Sequence, residues 1–201
     1  MVTLKMKINH PLKGRIDFEP YDYQKELIQK LVHENKNVIV KSARQMGVST
    51  TLFYCIRELC LTIPNYKAIL ITSKGYGYDG LNRFPDNEFI KSRSKFRIEY
   101  ENGSIIDMIV NSQFNDIKDG YHIFYDLIDS IDRTALYKLW LTSKNSTSRF
   151  CSFTENSHLV DDINWNNFDE LKWDWNLHPE RDKKWFNSHP PSLIENAVST
   201  N

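Results

Sequence analysis

Apolar residues recur along this chain in two rhythms. Across residues 21–35 they fall at Leu27, Ile28, Leu31 and Val32, the spacing of one helical face. Residues 38–40, Val-Ile-Val, form a short uninterrupted apolar run that predicts a buried strand. Residues 49–61 are helical again, and Pro64 ends that helix. A second buried strand is predicted over 68–72. Gly75, Gly77 and Gly80 with Pro85 then mark an irregular connection. Residues 96–100 and 105–110 flank Glu101-Asn102-Gly103-Ser104, a strong hairpin signal. An apolar strand over 123–125 runs into Asp126, a helix follows over 133–141, and a last strand covers 149–154. Strands alternating with helices predict an α/β domain on a mainly parallel sheet, with the hairpin as an antiparallel addition.

Composition narrows this only a little. The 201 residues suit one large domain, and 40% hydrophobic with 26% charged is ordinary globular material. The balance of 26 basic and 26 acidic residues gives no bulk field, so nucleic-acid binding would need a local patch. The one credible patch is Lys91-Ser92-Arg93-Ser94-Lys95-Phe96-Arg97, and a solvated strand edge blunted by charge is its preferred reading. No apolar run reaches transmembrane length. Cys55, Cys60 and Cys151 lack metal spacing and read as reduced, buried thiols. The six His show no metal spacing either.

The junction between the first buried strand and the second helix carries the chemistry. There Lys41-Ser42-Ala43-Arg44-Gln45-Met46-Gly47-Val48-Ser49-Thr50-Thr51 reads as strand end, tight loop and helix start. That layout points backbone N–H groups and a helix N-terminus at an anion. Against the pattern G-x-x-x-x-G-K-[ST], Ser42 replaces the first Gly, Gly47 keeps the second, and Ser49 keeps the hydroxyl that binds Mg²⁺. Val48 occupies the Lys position, while Lys41 stands at the front of the loop and Arg44 adds a cation inside it. Asp126, at a strand end, is placed as a Mg²⁺ carboxylate. Ser152-Phe153-Thr154-Glu155-Asn156-Ser157 is a polar strand end suited to a γ-phosphate. In open α/β sheets ligands sit at such carboxyl ends.

These segments resemble the N-terminal ATPase domain of the large terminase subunit, the DNA-packaging motor of tailed bacteriophages. Tyr23-Gln24 is similar to the aromatic-Gln pair that reads adenine there. Residues 43–50 match that family's Ser-Arg-Gln-x-Gly-Lys-[Ser/Thr]-Thr except at Val48, and some members carry the Lys at the front. Asn102-Gly103-Ser104, the Ile117-Lys118-Asp119-Gly120 turn and residues 177–185 also resemble family segments, so the likeness runs from about 18 to 185. It implies a P-loop NTPase fold of the ASCE type, with helices on both faces, ATP or ADP with Mg²⁺ as cofactors, and the host bacterial cytoplasm. An N-terminal arm would cover 1–17, the ATPase-like domain 18–160 and a Trp-rich segment 161–201, with Trp165, Trp173, Trp175 and Trp185 packing on the sheet. The implied nucleotide contacts are Tyr23, Gln24, Lys41, Ser42, Arg44, Gln45, Met46, Gly47, Val48, Ser49 and Thr50. Ser49 and Asp126 would hold the metal, and Arg44, Asp126 and Asp129 would be catalytic. Implied partners are double-stranded DNA, gripped weakly, and portal or terminase subunits or further copies in a ring.

The departures set a second expectation. The family follows its Walker B Asp with a Glu that activates water, whereas Leu127 follows Asp126, and Asp129 is the next carboxylate. Glu155-Asn156 replaces the family's Pro-Asn-Gly, and no acidic nuclease cluster follows, so no DNA cleavage is expected. Slow or absent hydrolysis and a role through a protein partner form the alternative. A helicase-like ATPase is a third reading. Structural readings compete throughout: Lys41 as a surface cation, Asp126 and Asp129 as caps, Tyr23 as a core aromatic, Arg44 as a solvated charge.

Overall fold

The computed structural model describes residues 6–10, 14–43, 46–72, 81, 84, 88–110, 120–126, 147–154 and 167–180. A small antiparallel sheet joins β1 (Lys7–His10) to β2 (Gly14–Asp17). The first helix, α1 (Asp22–Ile28), continues as a π-helical turn over Gln29–His33. There follow β3 (Val38–Ser42), α2 (Val48–Thr62), β4 (Lys67–Thr72), β5 (Ile90–Arg93), β6 (Arg97–Tyr100), β7 (Ile105–Val110), β8 (His122–Tyr125), β9 (Thr147–Thr154) and β10 (Asp169–Trp173). The main sheet runs in the order β10-β3-β9-β8-β4-β7-β6-β5. Every pairing from β10 to β7 is parallel, and β6 and β5 complete an antiparallel edge. The mainly parallel α/β sheet with a hairpin addition is therefore present, and β9 stands between the loop strand β3 and the Asp126 strand β8. The helix expected over 133–141 lies outside the described residues, as do Trp165, Trp185 and residues 117–119.

Alternation along the strands sorts the core. Val38 and Val40 of β3, Ala68 and Leu70 of β4, Phe124, Phe150, and Leu171 and Trp173 of β10 face one side. There they pack with Leu27 and Leu31 of the first helical segment and Leu52, Ile56 and Leu59 of α2. Residues of opposite parity, Ile39, Ile69, Ile71, Ile123 and Cys151, are buried as well. A parallel sheet buried on both faces explains why its strands read as continuous apolar runs. Strand β10 escaped the sequence reading because Asp-Glu-Leu-Lys-Trp carries only two apolar positions and sits at an edge. Strand β5, all polar after Ile90, escaped for the same reason. The three thiols are free and buried, and burial pushes each one up out of the reactive range.

Two polar devices tie helices to strands. The turn between β6 and β7 docks on the end of α2: Asn102 Nδ2 donates to the Cys60 carbonyl at 2.8 Å and Ser104 Oγ to the Ile63 carbonyl at 2.9 Å. The Cys60 carbonyl would otherwise be an orphan of the last helical turn. Ser104 Oγ also accepts the Tyr66 N–H at 3.0 Å, fixing the start of β4. Gly103, at φ +82°, stands where a Cβ would strike Asn65 Oδ1, so only Gly fits this turn. At the other end, the register of β8 with β9 slips between Ile123 and Phe124, leaving Arg149 as the extra residue. Its guanidinium donates to the Leu31 carbonyl at 3.1 Å and the Asn35 carbonyl at 3.2 Å, so a cation closes the C-terminal end of the first helical segment.

Arg149 also shapes its neighbour His122, which stacks on Tyr66 with ring centroids 4.4 Å apart. Burial lowers the His122 pKa from the ordinary 6.5, and the Arg149 charge lowers it further. The unfolded chain therefore binds this proton more readily than the folded one. The His122 contribution to stability is level above pH 6.5 and declines as pH falls from there through the depressed folded value. Urea midpoints compared at about pH 7.5 and about pH 5 should show this loss. His122→Phe, which keeps a ring on Tyr66 and cannot titrate, should lose less.

Candidate functional site

The loop after β3 meets the N-terminus of α1. Met46 is 1% exposed and its side chain lies in the core. Its carbonyl accepts Tyr23 Oη at 3.1 Å and Gln24 Nε2 at 3.3 Å. Gln24 Oε1 in turn accepts the Tyr21 N–H at 3.0 Å, half of a capping box at the start of α1. One amide thus joins the start of α1 to the loop. Gly47 follows at φ +76°, and a Cβ there would stand 2.6 Å from Gln24 Nε2. Left-handed backbone and close approach both demand Gly.

Helix α2 starts at once, without a side-chain cap and without an acidic residue in its first turn. Its first N–H groups and positive dipole end are left to an anion. Val48 is buried in the core, so the position of the usual loop Lys is turned inward. Ser49 and Thr50, on the first turn, are both partly exposed. Thr51 Oγ1 is spent on the Gly47 carbonyl at 2.9 Å. Arg44 and Gln45 lie outside the described residues.

The carboxyl ends of the parallel strands gather buried polar groups. Asp126 is 1% exposed, its N–H donates to the Ile71 carbonyl at 2.9 Å, and Ser152 Oγ donates to its Oδ1 at 3.2 Å. Ser42, Thr72 and Ser152 are buried with it along this edge. Ser42 ends β3 in register with Trp173 and Thr154. Lys41 points elsewhere: its Nζ lies 3.2 Å from Glu170 Oε1 on β10. Asp129 and Leu127, like residues 155–157, lie outside the described residues.

A cavity of about 780 Å³ opens beside the loop, between the β1–β2 sheet, the start of α1 and residues 176–180. Phe18, Tyr21, Gln24, Gly47, Thr50 and His178 are among its walls. Tyr21 and His178 face each other there, ring centroids 4.9 Å apart. Tyr23 is the more buried aromatic and packs edge-on against Trp173 at 4.9 Å. Sequence reasoning named Tyr23 and passed over Tyr21, His178 and Glu170 as site residues. The signal for His178 was its place in the 177–185 segment, and none pointed to Glu170.

Similarity to solved structures is clear at the level of the fold. The large terminase of a thermophilic bacteriophage superposes with a TM-score of 0.60 at 10% identity, over 85% of this chain and 50% of that one. The same phage terminase in complex with ADP gives 0.58 at 10%, over 84% and 49%. The fold is that of a large terminase. The chain spans about half the length of these terminases. No family model matches the sequence, and no curated protein matches it. Open α/β sheets as a class take ligands at the carboxyl edge, and here β3 ends at that edge with Ser42 and β8 runs into Asp126.

Gly47→Ala should destabilise the chain by about 1–2 kcal/mol from backbone strain alone, plus the displacement of Gln24. Adding Gln24→Ala should relieve the clash and leave the strain, so thermal melts of the double variant should not be additive.

Proposed function

We propose that this terminase-like chain binds Mg·ATP or Mg·ADP at the 41–51 loop and works in phage DNA packaging as an ATPase domain whose hydrolysis is weak or lost. The observation that carries this reading is the Asp126–Ser152 pair, a nearly fully buried carboxylate at the carboxyl end of β8, on the same sheet edge as the uncapped start of α2. The ADP complex of the similarly folded phage terminase supports it. The phosphates would lie on the N–H groups of Gly47, Val48, Ser49 and Thr50, and the base in the cavity beside Tyr21, Tyr23, Gln24 and His178. Gln24 and Tyr23 would act chiefly by holding Met46, whose carbonyl both already grip.

Ser49 and Asp126 suit Mg²⁺, because both offer hard oxygen donors. Among the described residues no group of three His, Cys, Asp or Glu forms a metal cluster. One carboxylate with phosphates and waters is how Mg²⁺ is usually held, and when bound it would neutralise charge on the β- and γ-phosphates. Arg44 would supply a cation in cis, and Asp129 stands nearest in sequence to the missing Glu.

The buried Val48 favours a second reading, a non-hydrolysing copy that acts on portal or terminase subunits or assembles with itself. Contact with DNA would be weak and non-specific. Arg93 is bonded to the Phe84 carbonyl at 2.8 Å, and Arg97 to Glu99 and Asp107, which leaves Lys91 and Lys95 as exposed cations of the 91–97 stretch.

Calorimetry should detect Mg-nucleotide binding by the full chain and a weaker signal with Asp126→Asn. No heat at millimolar nucleotide would sink the reading. Turnover should fall below the ~1–100 s⁻¹ typical of kinases, and Leu127→Glu should raise it. A wild-type rate within that range would refute the impaired site.

A further inference from the structure

Lys41 is the cation at the front of the loop, yet it does not face the loop. It shares a sheet face with Ile39, and on β10 Glu170 is the register partner of Ile39 while Lys172 is the partner of Lys41. Glu170 therefore lies a full pleat repeat further from the loop than Lys41 does. Its Oε1 draws the Lys41 Nζ back to 3.2 Å, and Lys172 Nζ stands 3.6 Å from the same oxygen. Lys41 keeps 25% of its side chain exposed and Glu170 keeps 40%, so water reaches the pair. Ion pairs this exposed are weak and exchange readily for a stronger anion.

We infer that Glu170 is a positioning residue that competes with the nucleotide phosphates for Lys41, holding the lysine withdrawn until phosphate draws it forward. The inference rests on the nucleotide reading of the loop. Lys172 acts on the same balance from the other side: by sharing Glu170 it loosens the hold on Lys41. Strand β10 thus carries both the restraint and its relief, paired directly to the loop strand. The contact is electrostatic, so added salt weakens it.

The test is Mg·ADP affinity, by calorimetry at low salt, for the wild type, Glu170→Gln, Lys172→Met, Lys41→Ala and the Lys41→Ala/Glu170→Gln double variant, with thermal melts alongside. Glu170→Gln should bind roughly two- to fivefold more tightly, the range a partly exposed ion pair supports. Lys172→Met should bind more weakly, and in the Lys41→Ala background the change at 170 should have no effect. Glu170→Gln binding no more tightly than wild type with an unchanged melt would overturn the inference, as would tightening that persists without Lys41. If Glu170→Gln does not fold, an unchanged or tighter affinity in Lys172→Met overturns it instead. Binding by the wild type that none of these variants alters leaves the nucleotide reading standing and removes only this inference. No binding by any of the chains removes both.

Discussion

The carbonyl of Met46 is the point on which the geometry of this molecule turns. It accepts from Tyr23 and Gln24, so the first helix is attached to the loop through the loop's backbone rather than through a side chain. That attachment brings the Gln24 amide so close to Gly47 that no side chain fits there. The left-handed Gly47 then sets the direction in which α2 leaves the loop. A single acceptor thereby fixes the mutual placement of α1, the loop and α2, and the Met46 side chain anchors the same residue in the core. Because both contacts are made to backbone, they do not depend on which side chain stands at position 48.

Among the described residues, several charges hold secondary structure together. Arg149 closes a helix end, Arg97 bridges Glu99 and Asp107 across the antiparallel edge, and Lys30 reaches Asp169 on β10 at 3.0 Å. Arg57 lies buried on α2, 2.6 Å from Glu58, whose carboxyl pKa is raised by burial. At the β5 edge, a register shift and exposed lysines are ways of discouraging strand addition.

Much of this was legible in the sequence, and the reasons are particular. The buried strands β3, β4, β7 and β8 announce themselves as apolar runs, and Asn102-Gly103 marks the turn between β6 and β7. The first helix shows through its apolar period and α2 through its stop at Pro64. What did not show depends on long-range placement. Asp-Glu-Leu-Lys-Trp becomes a strand only because β3 offers it an edge. The role of Gln24 as a clasp needs the loop after β3 folded back onto the start of α1. His178 and Tyr21 share a cavity wall that no local pattern encodes. Asp126 was visible as an acid at a strand end, whereas its bond to Ser152 became visible only when β9 was placed beside β8.

The position of β3 in the sheet has a further consequence. Its neighbours are β9 and β10, so Val38 waits for Phe150 and Asp169 before its backbone is paired on either side. During synthesis the strand that carries the loop emerges before both of its neighbours and stays bare on both edges until residues 147–154 and 169–173 follow. An apolar strand with two open edges is the kind of segment that other chains add to. The vulnerable interval of this protein's biogenesis is therefore set in part by the topology of its loop strand.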